Sequence, residues 1–409
     1  MIKKHIYVLW VIHLISLYTY SQDTLGFTIP KLYGFENVNG DSISNGIYLN
    51  DFFKKLQSQR KFNDKKINIL HIGDSHLQAD YITHTTRVSL QKIFGNAGRG
   101  FIAPLKISKS NEPFNYQTTS NKTWKSTRCI SSKQLQPIGL SGMSIKTNDK
   151  SATIQIKTYN TDSLDYSFSN ITLFHSKNDS AYSTGMQDIS TKISFNFFKT
   201  NLSFTSKYIA SKKVSQVEVQ LTKTDSTQSN FIFYGANLEN DDNGILYHCI
   251  GINGARYKDY SKSSDFCLQT SSINPDIILI SLGTNESFQK NYNSEIFYKE
   301  IDTLVKKLKY ANPYTPILLT TPANSFYYQQ INYNIPLIRK TIVQYAKDNN
   351  LAYWDLYTIT GGENSAVLWK KTNLLSRDGI HYSKDGYIHQ GNLLTKAILN
   401  AYNKYVSNR

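Results

Sequence analysis

Between residues 48 and 57 the apolar side chains Leu49, Phe52, Phe53 and Leu56 recur at three- and four-residue spacing, which predicts a helix with one buried stripe. Residues 67–72 then read Ile-Asn-Ile-Leu-His-Ile and run into Gly73-Asp74-Ser75, the pattern of a buried strand ending in a turn. Residues 81–94 return to the helical period. From about Lys106 to Asn230 the texture changes. Stretches 152–158, 192–198 and 214–221 alternate apolar and polar side chains, and Ser, Thr, Asn and Lys fill the gaps, which predicts short antiparallel strands in a sandwich. From Phe231 onward strand and helix patterns alternate again: candidate strands 246–252, 276–282, 316–320 and 351–356, candidate helices 294–310, 335–348 and 385–403. Such alternation builds a parallel sheet covered on both faces. The predicted architecture is a three-layer α/β/α unit with a parallel sheet, split into residues 22–105 and 231–409 by an inserted antiparallel β-sandwich over residues 106–230. No internal repeat is evident.

The first residues carry a different signal. Lys3-Lys4 precedes an apolar run from Ile6 to about Tyr20, and Thr19-Tyr20-Ser21 supplies small residues where a signal peptidase reads. The run is shorter than the roughly 20 residues of a membrane span. The expectation is a signal peptide over residues 1–21, with export to the periplasm or beyond and no stable membrane insertion. In an oxidising compartment the three cysteines leave two outcomes open: Cys249 pairs with Cys267 and Cys129 stays free, or the thiols stay unpaired and buried.

Of the 409 residues, 40% are hydrophobic and 19% charged, which excludes a disordered chain; three Cys exclude a disulfide scaffold. The formal net charge is +16, yet the basic residues come only in pairs such as Lys54-Lys55, Lys65-Lys66 and Lys370-Lys371. That diffuse pattern points to a solvated basic surface facing an anionic polymer, and away from nucleic acid.

The candidate chemistry sits at strand ends. Ser75 follows a buried strand and precedes a helix, so its hydroxyl reaches the rim where open α/β sheets bind ligands, and its own N–H can point at an oxyanion. Gly40-Asp41-Ser42 spells the same tripeptide but follows Asn37-Val38-Asn39 and reads as a plain turn. Asp378 lies three residues before His381, close enough to fix the imidazole tautomer and leave the other ring nitrogen free to take a proton from a serine. Asn285 follows the strand at 276–282 and offers a neutral amide donor; Gly254 follows the strand at 246–252 and offers a backbone N–H. His71, His84, His175, His248 and His389 show no metal-ligand spacing and read as structural or surface residues, and no cofactor is called for.

Ser, Gly, Asn and a paired Asp and His, in this order at strand ends, resemble the SGNH hydrolases (the GDSL esterases). The resemblance implies Ser75 as nucleophile, His381 as base, Asp378 as its orienting partner, and an oxyanion hole of the Ser75 and Gly254 N–H groups with the Asn285 side chain. The chain departs from the family pattern at His76 (usually Leu), Glu286 (usually Asp) and Tyr382 (often Pro), and none of these removes a reacting group. The run Gly73 to Asp80, the run Phe94 to Phe101 and the β-rich insertion are together similar to exported peptidoglycan O-acetylesterases. What that similarity implies is an acetylesterase acting on peptidoglycan or another envelope glycan. Transfer of the acyl group to a sugar, cleavage of another ester and non-catalytic glycan binding stand as alternatives. The insertion's Tyr residues and Trp124 read as core side chains, and the sequence leaves the oligomeric state undefined.

Overall fold

The computed structural model describes residues 24–161, 164–176 and 182–408. The leader expected over residues 1–21 lies outside them. No helix among the described residues is long and apolar enough to cross a membrane.

A six-stranded sheet organises the fold, in the order Ile43–Ser44, Ala352–Trp354, Ile317–Thr320, Ile277–Ser281, Lys66–Gly73, Gly244–Gly251. All pairings are parallel except that of the two-residue edge strand Ile43–Ser44. Alternation along Lys66–Gly73 sends Ile67 and Ile69 to one face and Leu70 and Ile72 to the other, and both sets are fully buried. The Ile67 face packs against helices Asn50–Phe62, Tyr81–Phe94 and Lys384–Ser407, through Phe52, Phe53, Leu90, Phe94 and Leu393. The Leu70 face packs against Ser294–Ala311 and Asn334–Asp348. In the first of these, Phe297, Ile301, Leu304, Val305 and Leu308 form the buried stripe that the sequence spacing predicts. The fold is mixed α/β, with helices on both faces of the sheet.

Residues 100–239 build two antiparallel sheets. One runs Phe195–Phe198, Thr205–Val214, Phe168–His175, Phe231–Glu239, Met143–Thr147, Lys125–Arg128, with Gly100–Ile102 also paired to Phe231–Glu239. The other runs Tyr116–Ser120, Ser151–Thr158, Gln216–Thr222, Ser183–Gln187. These sheets reach past residues 106–230 at both ends, because Phe231–Glu239 is a run of buried residues whose pattern suits either kind of sheet. The alternation over 214–221 is not one strand. The chain changes sheets at Ser215, with Val214 paired to Phe168 and Gln216 to Lys157. The hydrophobic core is continuous across the two regions: Phe101, Ile145, Leu173 and Phe233 belong to the same cluster as Leu70, Ile72, Ile278 and Ile280. Trp124 is buried in this cluster with its indole N–H on Ser120 Oγ at 2.8 Å.

All three cysteines are free. The Cys249–Cys267 pair is geometrically foreclosed: Cys267 is buried in the cluster on the Leu70 face, whereas Cys249 packs against the cluster on the opposite face of the sheet.

Candidate active site

The strand order changes direction around Lys66–Gly73. The next strand of this sheet in sequence, Gly244–Gly251, lies on one side of it, and Ile277–Ser281 lies on the other. Loops leaving the carboxyl ends at such a point open a crevice. Register sets them level, since Gly73 is paired with both Gly251 and Ser281. Ser75, Gly254 and Asn285 therefore emerge side by side. They line one cleft of about 550 Å³ together with Gln78, Phe288 and His381.

His381 arrives from the far end of the chain. Its Nε2 lies 2.9 Å from Ser75 Oγ and its Nδ1 2.7 Å from Asp378 Oδ2. The Asp378 side chain is 48% exposed, so water alone would solvate it, but the loop also holds it. Its Oδ1 accepts from Ser376 Oγ at 2.6 Å and from the Ile380 and His381 N–H groups, each at 2.9 Å. Partial burial works to raise the Asp378 pKa; the hydrogen bonds from Ser376, His381 and the backbone outweigh it and hold the carboxyl well below the usual carboxylate range. A carboxylate that stays ionised fixes Nδ1 as the protonated nitrogen and leaves Nε2 as an acceptor for the serine proton.

Ser75 opens a single helical turn, Ser75–Gln78, whose first N–H groups are capped by Asp74: its Oδ1 accepts from His76 N at 3.0 Å. The long helix begins only at Tyr81, after Asp80 takes a left-handed conformation at φ 63°. The helix directly behind Ser75 is thus a single turn. Gly251 and Gly254, three residues apart, differ in space. A Cβ at Gly251 would sit 2.5 Å from the Gln78 backbone N, so that glycine serves packing. Gly254 has φ +81° and open space beside it in the cleft.

The Asn285 amide donates to Asp74 Oδ2 at 3.2 Å and to Ala255 O at 3.1 Å, both longer than the bonds among Ser75, His381 and Asp378. Burial pushes the Asp74 carboxyl up to about 7, despite the N–H of His76 and the amide of Asn285. Glu286, the next residue, is buried against the Tyr257 N–H at 2.8 Å and pushed up to about 8 by that burial. His76 stacks 5.3 Å from the His381 ring, and its Nδ1 is 3.1 Å from the Tyr387 hydroxyl. Burial, with His381 nearby, takes it down to about 3, so it stays neutral.

Sequence reasoning missed several supporting residues. Gln78 accepts from Asn253 N at 2.9 Å and donates to Ser110 Oγ at 2.9 Å and to Asn111 O at 3.0 Å, tying the Gly254 loop to the cleft wall. Asp80 is fully buried between Arg87 at 2.7 Å and Arg99 at 2.8 Å, with the Asn115 amide at 2.6 Å. Burial would raise its pKa, but the two guanidinium groups hold it well below the usual range. The stretch Phe94 to Phe101 is thereby more than a loop: Arg99 is its buried strut, and removing one partner of such a pair costs about 3–5 kcal/mol. The signal available for both was their place in the runs that carried the resemblance. Of the remaining histidines, His71 is buried between Tyr247 Oη at 2.8 Å and Ser281 Oγ at 2.6 Å, and His389 lies 2.7 Å from Glu36.

Residues 221–388 match the GDSL-like Lipase/Acylhydrolase family. The matched stretch contains Gly254, Asn285, Asp378 and His381 but not Ser75, which reaches the same cleft from the other side of the antiparallel region. Among solved structures, a peptidoglycan O-acetylesterase aligns with a TM-score of 0.71 at 21% identity, covering 90% of this chain and 98% of its own. A lipase/acylhydrolase from Enterococcus faecalis aligns at 20% identity over 39% of this chain and 77% of its own, with a TM-score of 0.31. Axe2, an acetylxylan esterase from Geobacillus stearothermophilus, aligns as a catalytic mutant at 20% identity over 39% of this chain and 73% of its own, with a TM-score of 0.30. No curated protein matches the sequence.

Proposed function

We propose, from the premise that this chain is an SGNH-type carboxylic ester hydrolase, that it removes O-acetyl groups from an envelope glycan, with peptidoglycan as the first candidate. The observation that carries the reading is the relay Asp378–His381–Ser75, with contacts of 2.7 and 2.9 Å, opening into a cleft wide enough for a sugar. In this reading His381 Nε2 takes the Ser75 proton as Oγ attacks the acetyl carbonyl carbon. The negative charge that develops on the carbonyl oxygen meets the Ser75 and Gly254 N–H groups, and an Asn285 N–H that turns from one of its two long contacts. Collapse breaks the bond to the sugar oxygen, which leaves with the proton held by His381. Water then attacks acetyl-Ser75, giving its proton to His381 and on to Ser75 Oγ as acetate departs.

The residue roles, the export of the chain and the reading of the insertion expected over residues 106–230 as a carbohydrate-module-like β domain belong to this proposal. The likeness over nearly the full length of a peptidoglycan O-acetylesterase supports the last of these. The test is acetate release from O-acetylated peptidoglycan by the purified protein, with Ser75→Ala alongside. Release that disappears in the variant supports both substrate and nucleophile. Ser75-dependent hydrolysis of a small acetyl ester without release from peptidoglycan keeps the chemistry and discards the substrate. Binding of the glycan with no turnover on either would favour a binding protein.

A further inference from the structure

Beside the cleft, residues Phe326–Tyr327 and Gln330–Ile331 pair as a two-stranded hairpin that belongs to no other sheet. It is pinned on both sides to segments of the candidate site. Phe326 N donates to Gly379 O at 2.8 Å, inside the loop that carries Asp378 and His381. On the other side Asn332 Nδ2 donates to Ser287 Oγ at 2.7 Å, two residues after Asn285. A side chain at the tip of this hairpin is thus held in fixed relation to Ser75.

The tip is aromatic and exposed. Tyr328 is 85% exposed and Tyr327 36%. The Tyr327 ring lies 5.4 Å from Phe288, which lines the cleft, and 4.8 Å from Tyr328 at 72° between planes. The three rings make a ledge that continues the cleft wall outward. Tyr328 also occupies the left-handed region, at φ +57°, where a bulky side chain is strained relative to glycine. Among the described residues that ring fills no core, and its phenol makes no hydrogen bond. A strained, solvent-facing tyrosine at the mouth of a cleft is explained by something that lies on it.

We propose that Phe288, Tyr327 and Tyr328 form a platform for a pyranose ring neighbouring the acetylated sugar, so that the enzyme selects polymeric glycan over small esters. This rests on the glycan-deacetylase reading above. The axial C–H face of a pyranose is apolar and packs on an aromatic face, while its equatorial hydroxyls reach phenol groups at the rim. Two rings set nearly perpendicular offer the sugar a floor and a wall. The neighbouring cation is already engaged, since Lys370 Nζ lies 5.0 Å over the Phe326 ring, so the ledge itself recognises shape more than charge.

The experiment compares kcat and KM on O-acetylated glycan strands and on 4-nitrophenyl acetate for wild type, Tyr328→Ala, Tyr328→Trp and Tyr327→Ala/Tyr328→Ala. Expected is a rise in glycan KM of roughly fivefold for Tyr328→Ala and more for the double variant. The glycan-to-small-ester ratio of kcat/KM should fall by the same factor, and Tyr328→Trp should restore it. Tyr328→Gly, which relieves the backbone, should melt at or above the wild-type temperature while losing the glycan preference, which separates recognition from folding. A wild type that deacetylates glycan with a KM untouched by the double variant overturns the platform alone. A wild type that hydrolyses the small ester and no glycan overturns the substrate reading and the platform with it. A KM change that follows acyl-chain length on alkanoyl esters assigns the ledge to the acyl group and overturns the sugar assignment.

Discussion

Residues 40–42 and residues 73–75 spell the same tripeptide, Gly-Asp-Ser, and the fold uses them differently. The first follows a single 3-10 turn, Val38–Gly40, and leads into a two-residue strand at the sheet's antiparallel edge. The second ends a strand buried over most of its length and flanked by parallel partners on both sides. Both aspartates are buried and both are pushed up to about 7 by that burial. Asp41 serves structure through one oxygen, with the Trp354 indole N–H on Oδ1 at 2.9 Å, while Oδ2 has no partner among the described residues. Asp74 caps the turn that presents Ser75 and holds the Asn285 amide. Ser42 is exposed and reaches only the Gly40 carbonyl, at 3.4 Å. A serine hydroxyl becomes chemically competent through the segments that converge on it from elsewhere in the chain; its immediate neighbours in sequence do not suffice.

The comparison breaks if the two serines behave alike. Ser75→Ala should lower ester turnover by about 10⁵-fold or more, while Ser42→Ala leaves turnover and melting temperature essentially as they were, measured by initial rates and thermal unfolding. The partner of His381 is a third aspartate, in neither tripeptide. Asp378→Asn should cost roughly 10³–10⁴-fold in kcat with little change in KM, because the wrong imidazole tautomer is then favoured. Asn285→Ala should lose about a hundredfold in kcat, with a circular-dichroism spectrum like that of wild type.

The aspartates sharpen the contrast at a smaller scale. Asp74→Asn should lower kcat by about ten- to a hundredfold by displacing Asn285 and the Ser75 turn, and Asp41→Asn should leave kcat as it is. Both should act the same way on stability. In each carboxyl the folded state holds its proton up to about pH 7, whereas the unfolded chain releases it near 3.8, so stability is fully present below pH 4 and is lost as pH rises through 7. The wild type should therefore lose a few degrees in melting temperature between about pH 5 and 8. Each Asp→Asn variant should lose less, and a variant slope as steep as that of wild type would refute the assignment.

The parallel-sheet half was readable because its signals are local. Helix Tyr81–Phe94 matches its predicted bounds, and helix Ser294–Ala311 runs one residue past the predicted end, because each shows a buried stripe at helical spacing between clear stops. Ser75, Gly254 and Asn285 lie beyond strand ends as expected; Asp378 and His381, expected at a strand end too, lie instead in the loop between helices Ser365–Lys371 and Lys384–Ser407, from which His381 reaches the same cleft and Asp378 is joined to it by a hydrogen bond. What was not readable depends on chain segments meeting at long range. The sheet change at Ser215 leaves the alternation of side chains intact, so the pattern runs straight through it. Asp74 and Gln78 are polar residues held by partners 211 and 175 positions away, and no window of sequence contains both ends of such a bond. The hairpin at Phe326–Tyr327 and Gln330–Ile331 is too short for period to register.

The 306 positions that separate His381 from Ser75 set an order of events in the making of the protein. A ribosome adding about 5–20 residues per second needs roughly 15–60 s to pass from one to the other. Through that interval the serine lacks the base proposed for it, and for the earlier part of it the strand that presents it also waits for Gly244–Gly251 and Ile277–Ser281 to pair on its two flanks. Under the proposed mechanism the nascent chain cannot cleave an ester until His381 has been made and has reached Ser75.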